Sequence, residues 1–170
     1  MKFLELPSLE MYCANKWVDP LALEQKINMV KREDKTIATL NGSFDLLHVG
    51  HLQMLYEASL QADVLIILLN TDNSIKKYKS EKRPIIPLEQ RAQMIASIGF
   101  VDYVTWFDEL DPRAILEKIK PDVHVNGSEY GETCIESAVI KQYGGRLHIV
   151  PLVPGFSTSN LIKKIINACA

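Results

Sequence analysis

Five short apolar runs, each followed by an amphipathic stretch, set the fold class of this chain. Thr36–Leu40, Val64–Leu69, Asp102–Trp106, Val123–Val125 and Arg146–Val150 read as strands. Between and after them, His51–Gln61, Pro87–Ile98, Pro112–Ile119, Thr133–Tyr143 and Thr158–Ala168 read as helices. The strands carry apolar residues on both faces, so both faces must be covered by helices. Strand–helix alternation with short links predicts an α/β fold: a doubly wound parallel sheet of about five strands, in three αβα layers, joined by right-handed crossovers. Pro87 and Pro112 stand where helices should begin, with Asp111 as the N-cap before Pro112. Gly99 and Gly144-Gly145 stand where helices should end.

Residues 1–35 lie outside the alternation and read as a helical N-terminal extension to a domain over 36–170. Asp19-Pro20 opens a helix there, with Leu21, Leu23, Ile27 and Val30 as its apolar positions. This extension is expected to pack on the domain or on a second subunit. At 170 residues and 47% hydrophobic, the chain can build one real core. A net charge of −2 argues against a dedicated nucleic-acid binder. No apolar run reaches transmembrane length and the first residues carry no signal-peptide pattern, so no membrane partner and a cytoplasmic location are expected. Cys13, Cys134 and Cys169 are odd in number and far apart, which suits reduced thiols and gives no zinc-ligand spacing.

The segment Gly42-Ser43-Phe44-Asp45-Leu46-Leu47-His48-Val49-Gly50-His51 links the first strand to the first helix of the alternation. Two histidines three apart at a helix mouth, with a glycine between them, make a phosphate-handling device. Each imidazole can donate an N–H to a phosphate oxygen. Gly50 lets that phosphate approach the backbone, and the helix start adds unpaired N–H groups and the positive end of its dipole. In open parallel sheets a ligand sits beyond the carboxyl ends of the strands, where strand order reverses. The histidine segment leaves such an end, and Ser157-Thr158-Ser159 opens the last helix from another.

Gly42–His51 resembles the HxGH signature of the cytidylyltransferase-like nucleotidyltransferases, a superfamily with a Rossmann-like sheet. Gly155-Phe156-Ser157-Thr158-Ser159-Asn160-Leu161-Ile162 resembles its second signature, a Ser-Thr-Thr-type segment. Lys79, Arg83-Pro84 and Pro87-Leu88-Glu89-Gln90-Arg91, with Tyr143–Arg146 and Pro151–Gly155, are similar to one branch, the bacterial heptose 1-phosphate adenylyltransferases that make ADP-heptose for lipopolysaccharide. The resemblance runs in order from about Thr36 to Ile166. It implies nucleotidyl transfer from ATP to a phosphorylated acceptor, with Mg²⁺ carried on the triphosphate, and a possible homodimer. A cytidylyltransferase using CTP and glycerol 3-phosphate shares the signatures. So does a non-catalytic nucleotide-binding regulator. A class I aminoacyl-tRNA synthetase shares the His-Gly-His element, but the chain lacks a KMSKS-like loop, an anticodon module and a basic face.

On that resemblance His48, His51 and Lys79 are the catalytic candidates. Asn41, Gly42, Ser43 and Phe44 lie under the nucleotide, with Phe44 also read as core and Asp45 as a brace for the turn. Lys79 and Arg83 are singled out of a basic loop that also holds Lys76, Lys77 and Lys82; Arg91 reads equally as a structural ion pair. Ser157, Thr158 and Ser159 cap the final helix towards the phosphates. Asn126, Gly127 and Glu129 stand in a segment where the heptose branch has Lys-Gly-Gly-Asp-Tyr, so a cation is replaced at Asn126 and an acid lengthened at Glu129. Arg113 is a candidate for the acceptor phosphate. No protein metal cage is expected.

Overall fold

A computed structural model of the protein describes residues 8–131, 133–151, 155 and 157–169. Strands β1 (Ile37–Gly42), β2 (Val64–Asn70), β3 (Tyr103–Phe107), β4 (Val123–Gly127) and β5 (Arg146–Val150) form one parallel sheet in the order β3-β2-β1-β4-β5. The order reverses at β1, whose neighbours are β2 and β4. A crevice therefore opens beyond the carboxyl ends of β1 and β4. β2 is buried along its whole length, which is why Val64–Asn70 is almost continuously apolar.

Helices cover both faces. α3 (Val49–Ser59) and α5 (Leu88–Ala96) lie on one side, over a core that includes Leu40, Leu55, Leu65, Ile67, Leu69, Ile95 and Val125. α2 (Leu23–Arg32), α6 (Arg113–Ile119) and α7 (Ser137–Gln142) lie on the other, over Ile37, Ile66, Leu68, Leu116, Ile119 and Ile140. Full burial of each such side chain contributes roughly 1.5–3 kcal/mol before entropy is counted.

The described part of the extension, residues 8–35, packs on the rest of the chain. α1 (Leu9–Ala14) lends Cys13 to the first core, while Val18 and α2 join the second. Between these helices the backbone pairs with the free edge of β3: Val18 N–H donates to the Val104 carbonyl at 2.9 Å, and Val104 N–H to that of Lys16 at 2.8 Å. The helix after Asp19 starts later than expected. Asp19 accepts from the Leu21 N–H at 2.8 Å, and Leu21 is exposed rather than apolar core. Leu23, Ile27 and Val30 are buried as their spacing requires.

The basic stretch after β2 is also more ordered than a loop. α4 (Asp72–Tyr78) occupies it, and Lys79 is its C-cap. Thr71 caps the start by accepting from the Ser74 N–H at 3.1 Å. Asp111 does its expected work one residue out of register: Pro112 is the N-cap of α6, and Asp111 accepts from the Arg113 N–H at 3.1 Å. The final helix, α8 (Thr158–Cys169), has no buried residue.

Candidate active site

The turn that leaves β1 is shaped by a close approach of Phe44 to Gly42. Phe44 adopts φ 45° and is buried, and its Cε2 would lie 2.9 Å from a Cβ on Gly42. Only glycine leaves room for that ring. His48 is the N-cap of α3 in extended backbone, and His51 falls one turn later on the same helix face. Their rings stack at 3.9 Å between centroids with 19° between planes. Phe44 also packs on His51, tilted by 54° with 5.2 Å between ring centroids.

This packing keeps protons off the pair. Burial pushes His51 down to about 4, and repulsion from His48 and Lys79 adds to it against the pull of the Leu46 carbonyl. Burial also lowers His48. Near neutral pH both rings are uncharged N–H donors, and His48 Nδ1 is buried without a partner among the described residues.

A cleft of about 230 Å³ opens in front of the rings. Asn41, Gly42, Ser43 and Phe44 line its floor beside His48, Gly50 and His51. Lys79 reaches it from the end of α4 and Glu129 from the segment after β4, and Ser157 and Thr158 close it from the start of α8. Ser157 caps that helix by accepting from the Asn160 N–H at 3.2 Å. Lys79 donates to Ser43 Oγ at 2.8 Å and makes no ion pair among the described residues. Desolvation, and then the neighbouring Arg83, lower its pKa.

Other sequence candidates stand back from the cleft. Arg83 pairs with Asp45, its Nε 2.6 Å from a carboxylate oxygen. Asp45 is buried and also accepts from the Ile85 and Ile86 N–H groups, each at 2.8 Å. Burial alone would raise the Asp45 pKa; those backbone donors and Arg83 outweigh it and hold the carboxyl below its usual range. Arg91 is wholly buried and pairs with Asp72 at 2.7 Å. Asn126 turns to Cys134 at 3.2 Å and Glu136 at 3.4 Å. Gly127 lies under Glu129, whose carboxylate would collide with a Cβ there. Ser159 is exposed in the first turn of α8. Arg113 is exposed and held by Asp111 at 2.8 Å. Neither of the last two lines the cleft.

Met54, Tyr130, Val150 and Pro151 line the cleft without having been singled out as site residues. Met54 was within reach of sequence reasoning, since it stands one turn beyond His51 on the same helix. Val150 and Pro151 gave no signal, because a strand end reads the same whether it meets core or ligand. Among the described residues, no group of three His, Cys, Asp or Glu side chains could hold a metal ion, and no helix is long and apolar enough to cross a membrane.

Comparison with known proteins finds relatives of this chain. The family model described as cytidylyltransferase-like matches residues 39–162. A bifunctional protein HldE of Geobacter metallireducens is 43% identical over 143 residues, covering 84% of this chain and 29% of that protein. Its counterpart in Syntrophotalea carbinolica is 38% identical over 147 residues, covering 86% and 30%. The chain thus spans about three-tenths of the length of the curated relatives it matches. Among solved structures, a lipopolysaccharide core biosynthesis protein from Thermoplasma volcanium superposes with a TM-score of 0.57 at 24% identity, over 70% of this chain and 97% of that one. A pantothenate synthetase from Thermus thermophilus superposes with a TM-score of 0.62 at 13% identity, over 86% and 67%. At these identities the two structures speak for the fold.

Proposed function

The chain belongs to the cytidylyltransferase-like family, and from that premise we propose that it is a nucleotidyltransferase moving AMP from ATP to a sugar 1-phosphate of the heptose kind. The observation that carries this reading is the shared cleft: the imidazole pair and the Ser157–Thr158 cap, from distant parts of the chain, face one space. The heptose class rests on the Arg83–Arg91 and Tyr143–Arg146 blocks, which resemble the heptose branch. The HldE relatives are similar over most of the chain.

In the proposed reaction an acceptor phosphate oxygen attacks the α-phosphorus of ATP in line. The new O–P bond forms as the bond from the α-phosphorus to the bridging oxygen breaks, and pyrophosphate leaves with that electron pair. The acceptor is already ionised at neutral pH, so no side chain need act as base. The work left to the protein is positioning and stabilisation of charge. His48 and His51 donate N–H groups to the phosphates as charge builds. A preorganised donor of this kind is worth on the order of 10²–10³ in rate. Lys79 supplies a full positive charge. Asn41, Gly42, Ser43 and Phe44 support the nucleotide from below. Thr158 and the N-terminus of α8 receive the outer phosphates, the dipole adding roughly 0.3–1 kcal/mol. Glu129 faces the nucleoside or the acceptor. Arg83, Asn126, Gly127 and Ser159 act from behind these groups. Arg113 remains a candidate for the acceptor phosphate only if Asp111 releases it.

The donor set fits a magnesium ion that arrives on the triphosphate, since Glu129 is the one carboxylate among the described cleft residues and magnesium keeps water and phosphate ligands. When bound, the ion neutralises phosphate charge. Three free cysteines, one of them exposed, suit a cytoplasmic setting. Exposed apolar residues on α3 (Val49, Leu52 and Tyr56) and α8 (Ile165 and Ile166) suit a homodimer.

The test is pyrophosphate release from ATP and CTP against a panel of phosphorylated acceptors that includes heptose 1-phosphate and glycerol 3-phosphate. Turnover with ATP and the sugar phosphate is expected. His48→Ala and His51→Ala should each lose about 10²-fold or more in kcat with the fold intact by circular dichroism. Turnover with CTP alone overturns the adenylyl assignment, and nucleotide binding without turnover favours a regulatory role.

A further inference from the structure

The two carboxylate–guanidinium pairs behind the cleft touch no reacting group in the chemistry above, yet each has one wholly buried member, Arg91 in one and Asp45 in the other. Arg91 is 0% exposed. Its Nη1 donates to the Ser43 carbonyl at 2.6 Å, and its Nη2 to the Asn70 carbonyl at 2.9 Å and to Asp72 at 2.7 Å. Its Nε donates to the Ile86 carbonyl at 2.9 Å. One fork thus ties the turn after β1, the end of β2, the start of α4 and the loop before α5. Asp45, 1% exposed, ties the same turn to the same loop through Arg83, Ile85 and Ile86.

The Arg91 tie reaches Lys79 by contact and the Asp45 tie reaches it through charge. Arg91 fixes the Ser43 carbonyl, and Ser43 Oγ receives the Lys79 ammonium at 2.8 Å. Lys79 is also the C-cap of the helix whose first turn Arg91 holds through Asp72. We propose that Asp45 and Arg91 are positioning residues: they lock the imidazole-bearing turn and the Lys79 segment into one unit, so that Lys79 and the His48–His51 pair address the same phosphates. A guanidinium is suited to this task. Its planar donors serve four acceptors in a fixed geometry, which an ammonium cannot copy. The charges that face Lys79 complete the picture. Arg83 and Arg91 oppose its proton, Asp45 supports it, His51 lies within electrostatic reach, and the Tyr78 ring is 5.5 Å away. Glu129 lines the same cleft.

The proposal rests on the triphosphate-binding reading of the cleft, and the test separates the two. Binding of a non-hydrolysable ATP analogue and steady-state kinetics are measured for wild type, Lys79→Ala, Arg91→Lys and Asp45→Asn, with melting temperatures alongside. Arg91→Lys is expected to lose about 10-fold to 100-fold in kcat, the scale of a misplaced catalytic group. Asp45→Asn keeps an acceptor for the Ile85 and Ile86 N–H groups and removes the charge that favours a protonated Lys79. Its alkaline limb of kcat/KM for the triphosphate should therefore move to lower pH, which a merely structural role would not produce. If Arg91→Lys fails to fold, the Asp45→Asn limb decides alone. Impaired Lys79→Ala together with wild-type kcat and an unmoved limb in the other two overturns the positioning role. No analogue binding by wild type, or an unimpaired Lys79→Ala, overturns the reading of the cleft itself, and this proposal with it.

Discussion

Three histidines in this protein resist protonation, and stability should follow them. His124 is wholly buried in β4, with Thr39 Oγ1 at 2.8 Å from Nδ1 and Nε2 without a partner among the described residues. Burial pushes its pKa to about 3; His51 stands at about 4, and His48 is lowered as well. In the unfolded chain each titrates near 6.5. Below that value the unfolded state takes up protons that the folded state refuses. Stability is then complete above about 6.5 and is lost as pH falls towards the folded values. We expect the urea midpoint to drop between pH 7 and pH 5, before ordinary carboxylates titrate, and His124→Gln to flatten the drop. A profile without slope in that window would contradict the burial argument. Sequence reasoning reached His48 and His51 because their spacing and setting carry chemistry. It passed over His124, whose strand neighbours Val123 and Val125 mark only a core strand. Arg91 was equally hard to place, because a charge in an amphipathic helix gives no sign of whether it faces water or four carbonyl and carboxylate oxygens.

Among the elements, α4 shows where pattern reading stops. The five strands were legible because a sheet covered on both faces demands unbroken apolar runs, and each observed strand overlaps its expected one. α4 buries only Ser74 and Ile75, so it offers no apolar stripe, and its lysines look like a solvated loop. What holds it is polar. Thr71 caps the helix, and Asp108 after β3 accepts from the Thr71 hydroxyl, from Asn73 Nδ2 at 2.9 Å and from Lys77 at 3.3 Å. Thr71→Ala should therefore cost about 1–2 kcal/mol in denaturant unfolding. A loss well under 0.5 kcal/mol would mean that the backbone bonds of α4 suffice without the cap. The start of the helix after Asp19 was misjudged for a related reason: the aspartate side chain satisfies the Leu21 N–H before any helix begins.

For the molecule as a whole, residues 8–35 contribute to its core even though they precede its sheet. Val18, Leu23, Ile27 and Val30 complete the cluster under α6 and α7, and Cys13 sits against α5. Deletion of residues 1–35 should expose both patches and the free edge of β3 at once. Loss of soluble expression, or a melting temperature lowered by more than 10 °C, is the expected result. A truncated chain as stable as the full one would make this segment a true appendage. The uncharged state of the stacked imidazoles has a consequence for traffic through the cleft. If the cleft takes a triphosphate as proposed, the imidazoles would offer directional N–H groups while the positive charge would come from Lys79. On that reading, a chain of phosphates reaching from the imidazoles to Thr158 would collect donors at both ends. A short anion held at Lys79 alone would then bind more weakly than a ligand long enough to span the cleft.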